Sequence, residues 1–284
     1  MKKIVLVAET GSDIPPETAA KYDIRLAPMH VSFDGESRDD GGFPPEEIYA
    51  WYKHTGRLPT TTGCSPEDFA RVFDEIHTCR PDAHILYLAY SAATTVSFQS
   101  ALLAAEGRDY VTALDTRQVT VGQGAIVEQT ARVLQANPAL EPEPAAAIAR
   151  NLIGWAEFVF FPNDLDYLRA GGRVSNVAYL GSRLLHLHPA IELQNGKLVA
   201  AKKYRGRLEG LAPRLLDEYM QKWDLQTDRL WLVYTAGLDL KVRAAVNEAA
   251  RARGFRQLTW VQANGVITTH GGPGAFGFAG FRKK

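Results

Sequence analysis

Cysteine is nearly missing from this 284-residue sequence, which has only Cys64 and Cys79. The two form no C-x-x-C pair, which excludes a disulfide framework and the usual thiolate metal knuckle. Two ordinary thiols suit a reducing compartment, and a cytoplasmic location is expected. An excess of charge of either sign is also lacking, since 32 Lys and Arg balance 32 Asp and Glu. No net field draws such a chain onto a phosphate backbone or an anionic bilayer, so no nucleic-acid partner is expected. Long apolar runs are absent as well. The run from Ile4 to Ala8, behind Lys2 and Lys3, is shorter than the roughly 7 to 15 residues of a signal-peptide core and reads as a first strand. No stretch approaches the ~18 apolar residues of a membrane helix, so integral membrane association is not expected.

Several catalytic signatures are missing too. Gly122-x-Gly124 is followed by Val127 where a dinucleotide fingerprint needs a third glycine, and no Walker lysine motif occurs. Neither a G-x-S-x-G elbow nor a protein-kinase signature set is found. His186 and His188 face the same way on a candidate strand, but no acidic or thiol set nearby completes a metal site. The expectation is therefore no catalytic residue, no metal and no cofactor held by this chain alone.

What is present is ordinary globular composition, 46% hydrophobic and 23% charged, over a length that favours two lobes around a shared cleft. Short β-branched runs alternate with amphipathic stretches in the first half, the pattern of a mainly parallel sheet flanked by helices. Strands are expected over Ile4 to Val7, Arg25 to Val31, His84 to Ala89 and Tyr110 to Leu114. Pro15 and Pro16 open one helix, and Ser65-Pro66-Glu67-Asp68 caps another over Phe69 to Ile76. A Pro-rich break from Asn137 to Pro144 separates two further helices, and the strand Phe158 to Phe161 follows. The fold class is α/β, with an N-terminal lobe over residues 1–155 and a C-terminal α/β lobe over 156–284. Asn195-Gly196 marks a hairpin between His188 to Gln194 and Lys197 to Tyr204. Leu230 to Tyr234, a helix over Lys241 to Arg253 and the strand Gln257 to Gln262 complete the second lobe.

Ligands of an open parallel sheet bind beyond the carboxyl ends of its strands. There the sequence repeatedly places hydroxyls: Thr10 and Ser12 beside Glu9 and Asp13, Ser91 with Thr94, Thr95 and Ser97, and Thr116 after Asp115. Thr60-Thr61-Thr62 with Ser65 precedes a helix. Each cluster can simply cap its helix, or can offer neutral donors to a carboxylate or phosphate. Asp164 to Arg173 reads as a helical turn stopped by Gly171 or Gly172, after which Arg173 is either solvated or turned onto an anion. His270-Gly271-Gly272-Pro273-Gly274 is a glycine-rich turn headed by a histidine that could serve structure or a ligand head group.

Together these segments resemble the DegV family of fatty-acid-binding proteins, nearly end to end. The resemblance is carried by Asp164-Leu165-x-x-Leu168-x-x-Gly171-Gly172-Arg173-Val174-Ser175 and His270-Gly271-Gly272-Pro273-Gly274. Glu9-Thr10-x-x-Asp13, Pro59-x-Thr61-Thr62 with Ser65, Ser91 through Ala101, and Asp115-Thr116 support it. The chain departs from the usual family pattern at Gly63, Cys64, Ala92 and Val96. The resemblance implies a long-chain fatty acid threaded between two lobes, its carboxylate near Thr61, Thr62, Ser91, Thr95, Ser97, Arg173 and His270. It further implies a separate ATP-binding fatty acid kinase subunit that phosphorylates the bound carboxylate. Val177, Leu180, Leu184, Leu185 and Leu187 are candidate tail contacts. The alternatives are a stand-alone phosphotransferase or hydrolase using His270 and Arg173, and a ligand-sensing module that recruits a protein.

Overall fold

A computed structural model describes residues 4–174 and 187–283. In chain order its elements are β1 (Ile4–Glu9), α1 (Pro16–Tyr22), β2 (Arg25–Ala27), β3 (His30–Phe33), β4 (Glu36–Asp39), α2 (Glu46–Thr55), β5 (Thr60–Thr62), α3 (Pro66–Cys79), β6 (His84–Ala89), α4 (Ser97–Ala104), β7 (Val111–Asp115), α5 (Thr120–Ala136) and α6 (Pro142–Trp155). The second half adds β8 (Ala156–Phe161), α7 (Leu165–Gly171), β9 (Leu187–Gln194), β10 (Lys197–Arg205), α8 (Leu208–Trp223), β11 (Arg229–Tyr234), α9 (Leu240–Ala252), β12 (Gln257–Gln262), α10 (Gly265–Gly271) and β13 (Phe276–Phe281). The fold is mixed α/β, with one parallel sheet flanked by helices and a second, larger sheet.

The parallel sheet runs β2-β1-β6-β7. Its central strand β1 is buried along its whole length, as a strand covered on both faces must be. The larger sheet runs β10-β9-β8-β13-β11-β12, antiparallel except for the β11–β12 pair. A three-stranded antiparallel sheet, β4-β3-β5, lies beside them.

Side chains of a strand alternate between its faces, and β8 uses both. Phe158 and Phe160 join the apolar cluster that includes the parallel sheet. Val159 and Phe161 join a second cluster with Leu215, Leu216 and Tyr219 of α8 and Val242 and Val246 of α9. The larger sheet is thus a wall between two cores. Helix α5 packs against strands of both sheets, and its Glu128 accepts from Trp231 Nε1 at 2.7 Å and from Arg229.

Two expectations need correction. The stretch from Arg25 to Val31 is two strands in two sheets, split at Pro28, where the missing N–H and fixed φ break the ladder. Thr60–Thr62, expected only to precede a helix, is itself a strand, paired with β3 through Ser32, Val31 and His30. Elsewhere the capping box at Ser65 forms reciprocally with Asp68, and Asn195 and Gly196 both take positive φ, 51° and 78°, as a two-residue hairpin turn requires.

Candidate functional site

The loops after β6 and β7 open on one narrow cavity, as the carboxyl-end rule predicts. On that side it is lined by Tyr90, Thr94, Thr95, Val119 and Thr120. The lining also includes Phe158 and Phe160 of β8, Ile191 of β9, Leu198 of β10 and Val266, Ile267 and His270 of α10. Thr61, Thr62 and Gly63 close one side, and Arg173 with Val174 another. The centres of water-sized molecules can occupy about 90 Å³ of it, where one water needs roughly 10 to 15 Å³. It is a slot, largely apolar, with its polar groups gathered among the threonines, Arg173 and His270.

Of the residues singled out from sequence, Thr61, Thr62, Thr95, Arg173 and His270 meet at this cavity, whereas Ser91 and Ser97 lie behind its lining. Ser91 is fully buried and donates to the Gly196 carbonyl at 2.7 Å, tying the β9–β10 hairpin to the loop after β6. Ser97 Oγ accepts from Cys64 N–H at 3.1 Å and lies 3.1 Å from Thr95 Oγ1. With one lone pair so engaged, Ser97 can donate its hydroxyl hydrogen bond to Thr95 Oγ1, leaving the Thr95 hydroxyl free to donate to a ligand. Gly63 permits this packing, since a β-carbon there would stand 2.3 Å from Thr95 Oγ1 and 2.5 Å from Ser97 Oγ. Ser65 caps α3, and Thr116 donates to the Ala89 carbonyl at 2.6 Å. Ser65 thus serves as a helix cap, whereas Thr116 caps no helix and ties the end of β7 to β6.

His270 lies in the last turn of α10 rather than heading a loop. Its Nε2 is 2.9 Å from Thr61 Oγ1, while Nδ1 is buried without a hydrogen-bond partner among the described residues. Burial, with the Arg173 charge adding to it, pushes the imidazole down to about 4. His270 is therefore neutral near pH 7, with one protonated and one unprotonated ring nitrogen. Gly171 makes room for it, because a β-carbon at that position would lie 2.2 Å from His270 Nδ1. Gly172, at φ 62°, stops α7 and sends the chain on to Arg173, which is exposed and donates to the Gly171 carbonyl at 3.3 Å. Arg173 is the cationic side chain among the described lining residues.

Sequence reasoning missed Tyr90, Thr120, Met29 and the Phe158–Phe160 pair as lining residues. Tyr90 is held from behind by Glu9, whose carboxylate accepts from Tyr90 N–H at 3.0 Å, from Gln123 Nε2 at 2.6 Å and from the Tyr87 hydroxyl. Burial pushes Glu9 up to about 7. The signal for Thr120 was its place just after a strand; the phenylalanines look like any core pair until the faces of β8 are known. Val177, Leu180, Leu184 and Leu185 lie outside the described residues, and Leu187 is buried at the start of β9. No group of three or more His, Cys, Asp or Glu among the described residues could hold a metal ion.

Fold and cavity together define an α/β protein with a parallel and a larger mixed sheet, organised around a largely apolar slot that carries a few hydroxyls, an arginine and a histidine. The pattern of the DegV family, described as uncharacterised proteins, matches residues 3–283. The chain belongs to that family. A DegV family protein from Thermus thermophilus, described as fatty acid binding, superposes with a TM-score of 0.87 at 30% identity over 100% of both chains. A stearic acid-binding protein from Eubacterium ventriosum superposes with a TM-score of 0.78 at 26% identity, covering 100% of this chain and 99% of that one. A fatty acid-binding protein of Thermotoga maritima is 27% identical over 285 residues, 97% of this chain and 96% of its own.

Proposed function

We propose that this protein binds a long-chain fatty acid in the cavity and presents its carboxylate to a separate ATP-dependent kinase subunit. The observation that carries this reading is one largely apolar slot lined by Phe158 and Phe160 together with threonine hydroxyls, Arg173 and a neutral His270, in a chain 30% identical to a fatty-acid-binding relative. Thr61, Thr62 and Thr95 would donate to the carboxylate, and Arg173 would balance its charge. His270 would donate its one N–H from Nε2 to Thr61 Oγ1, leaving the Thr61 proton for the carboxylate. Ser97 would orient Thr95, and Ser91 would hold the loop that carries it. Residues 1–155 and 156–284 would act as the two lobes between which the ligand lies. Each buried methylene contributes about 0.8 kcal/mol, so the tail supplies most of the affinity while the polar end sets which atoms face outward. The chain itself would be non-catalytic, the phosphoryl transfer belonging to the partner. Its two unpaired thiols suit the cytoplasm, and no helix among the described residues is long and apolar enough to cross a membrane.

The deciding experiment is denaturing extraction of the purified protein followed by mass spectrometry of the released small molecules. A near-stoichiometric fatty acid is expected. A blank that persists after the protein has been offered a lipid mixture would overturn the reading. If lipid is found, addition of candidate kinase subunits with ATP tests the presentation step by acyl-phosphate formation.

A further inference from the structure

Helix α10 brings Val266, Ile267, His270 and Gly271 to the cavity wall, yet its own sequence does little to start it. It is seven residues long and its N-cap, Asn264, makes no side-chain capping bond. So short a helix does not hold itself in water, and buried first-turn amides need acceptors from elsewhere. Two carboxylates from remote parts of the chain supply them. Asp13 Oδ1 accepts from Asn264 N–H at 2.8 Å, and Asp40 Oδ1 accepts from Val266 N–H at 2.8 Å. Both side chains are buried. Asp13 Oδ2 also accepts at 2.5 Å from the hydroxyl of Thr120, which starts α5 at a φ of 42° and itself lines the cavity.

We propose that Asp13 and Asp40 are positioning residues of the binding site, caps supplied from the first forty residues that fix α10 and so fix His270. Neither lines the cavity. Val266 and His270 are four apart and share one helix face, so a shift of the Val266 amide carries the imidazole away from Thr61. Asp13 in addition ties the start of α10 to the start of α5, since one of its oxygens serves each. The grip does not depend on charge. Burial pushes Asp13 up to about 8 and Asp40 to about 6, and a protonated carboxyl still offers its carbonyl oxygen to an amide. An asparagine can make that same bond; an alanine cannot.

The inference rests on the fatty-acid reading only for what the wall holds, and its test separates the two. Amide hydrogen exchange by NMR on the full chain should show Asn264 and Val266 protected, although first-turn amides of an uncapped helix exchange readily. Asp40→Ala should weaken oleate binding by about tenfold, the loss of one buried hydrogen bond, and should move the His270 imidazole signals of the ligand-free protein. Asp40→Asn should restore most of the affinity and the wild-type imidazole signals. Unprotected amides, an alanine variant that folds with unchanged affinity and imidazole signals, or an asparagine variant as impaired as alanine would each overturn the anchoring. If alanine does not fold, exchange in the wild type and the asparagine variant decide. Should the wild type bind no oleate, the fatty-acid reading falls, while the exchange and imidazole data still judge the anchoring.

Discussion

At the scale of single residues, the site rests on which hydroxyls keep a proton for a ligand. Thr95 accepts from Ser97 N–H at 3.3 Å and lies within reach of the Ser97 hydroxyl. Thr95→Val keeps the shape and removes the donor, and a lipid titration should show a loss of about 1 to 3 kcal/mol; an unchanged affinity would remove Thr95 from the head-group contacts. His270 gives a pH test. Its folded value near 4 lies below the ordinary value of about 6.5, so its contribution to stability is complete above about pH 6.5 and lost as pH falls toward 4. The melting advantage of wild type over His270→Gln should therefore shrink between pH 7.5 and pH 4, while a constant difference would refute the neutral imidazole. These residues were legible in the sequence as types; their roles were not. Ser65, Ser91 and Thr61 all sit near helix starts or strand ends; a local box makes Ser65 a cap, while only tertiary placement makes Ser91 a hairpin tie and Thr61 a cavity wall.

At the scale of elements, local signals read well wherever they were self-sufficient. The capping box of α3, the Asn-Gly turn and the boundaries of β6 and β12 depend on neighbours within a few residues, so the sequence states them. Elements that depend on distant partners were hidden. Strand β5 is three threonines that become a strand by pairing with β3, and α10 begins on carboxylates more than 200 residues away in sequence. No window of sequence contains both halves of such an interaction. The split of β2 from β3 was readable at Pro28, but the assignment of the two pieces to different sheets was not.

At the scale of the whole molecule, the alternation of strands and helices was enough for the fold class, and the union of the two halves is what it left out. Their union is a shared core crossed by α5, whose Glu128 meets Arg229 and Trp231 of the larger sheet. Glu128→Ala would strand that partly buried guanidinium and the buried indole N–H, and should cost about 3 kcal/mol in denaturant unfolding; a loss below about 0.5 kcal/mol, typical of a surface change, would show the bridge to be dispensable. The double-faced strand β8 bears on how such a protein can diversify. Phe158 and Phe160 border the ligand space, while Val159 and Phe161 pack under α8 and α9. Changes at the even positions can reshape the space for a tail without loosening the helical layer behind it. Changes at the odd positions spend stability and leave tail preference alone. Two neighbouring positions of one strand therefore carry separable tasks, the even ones bordering the cavity and the odd ones holding the helical layer.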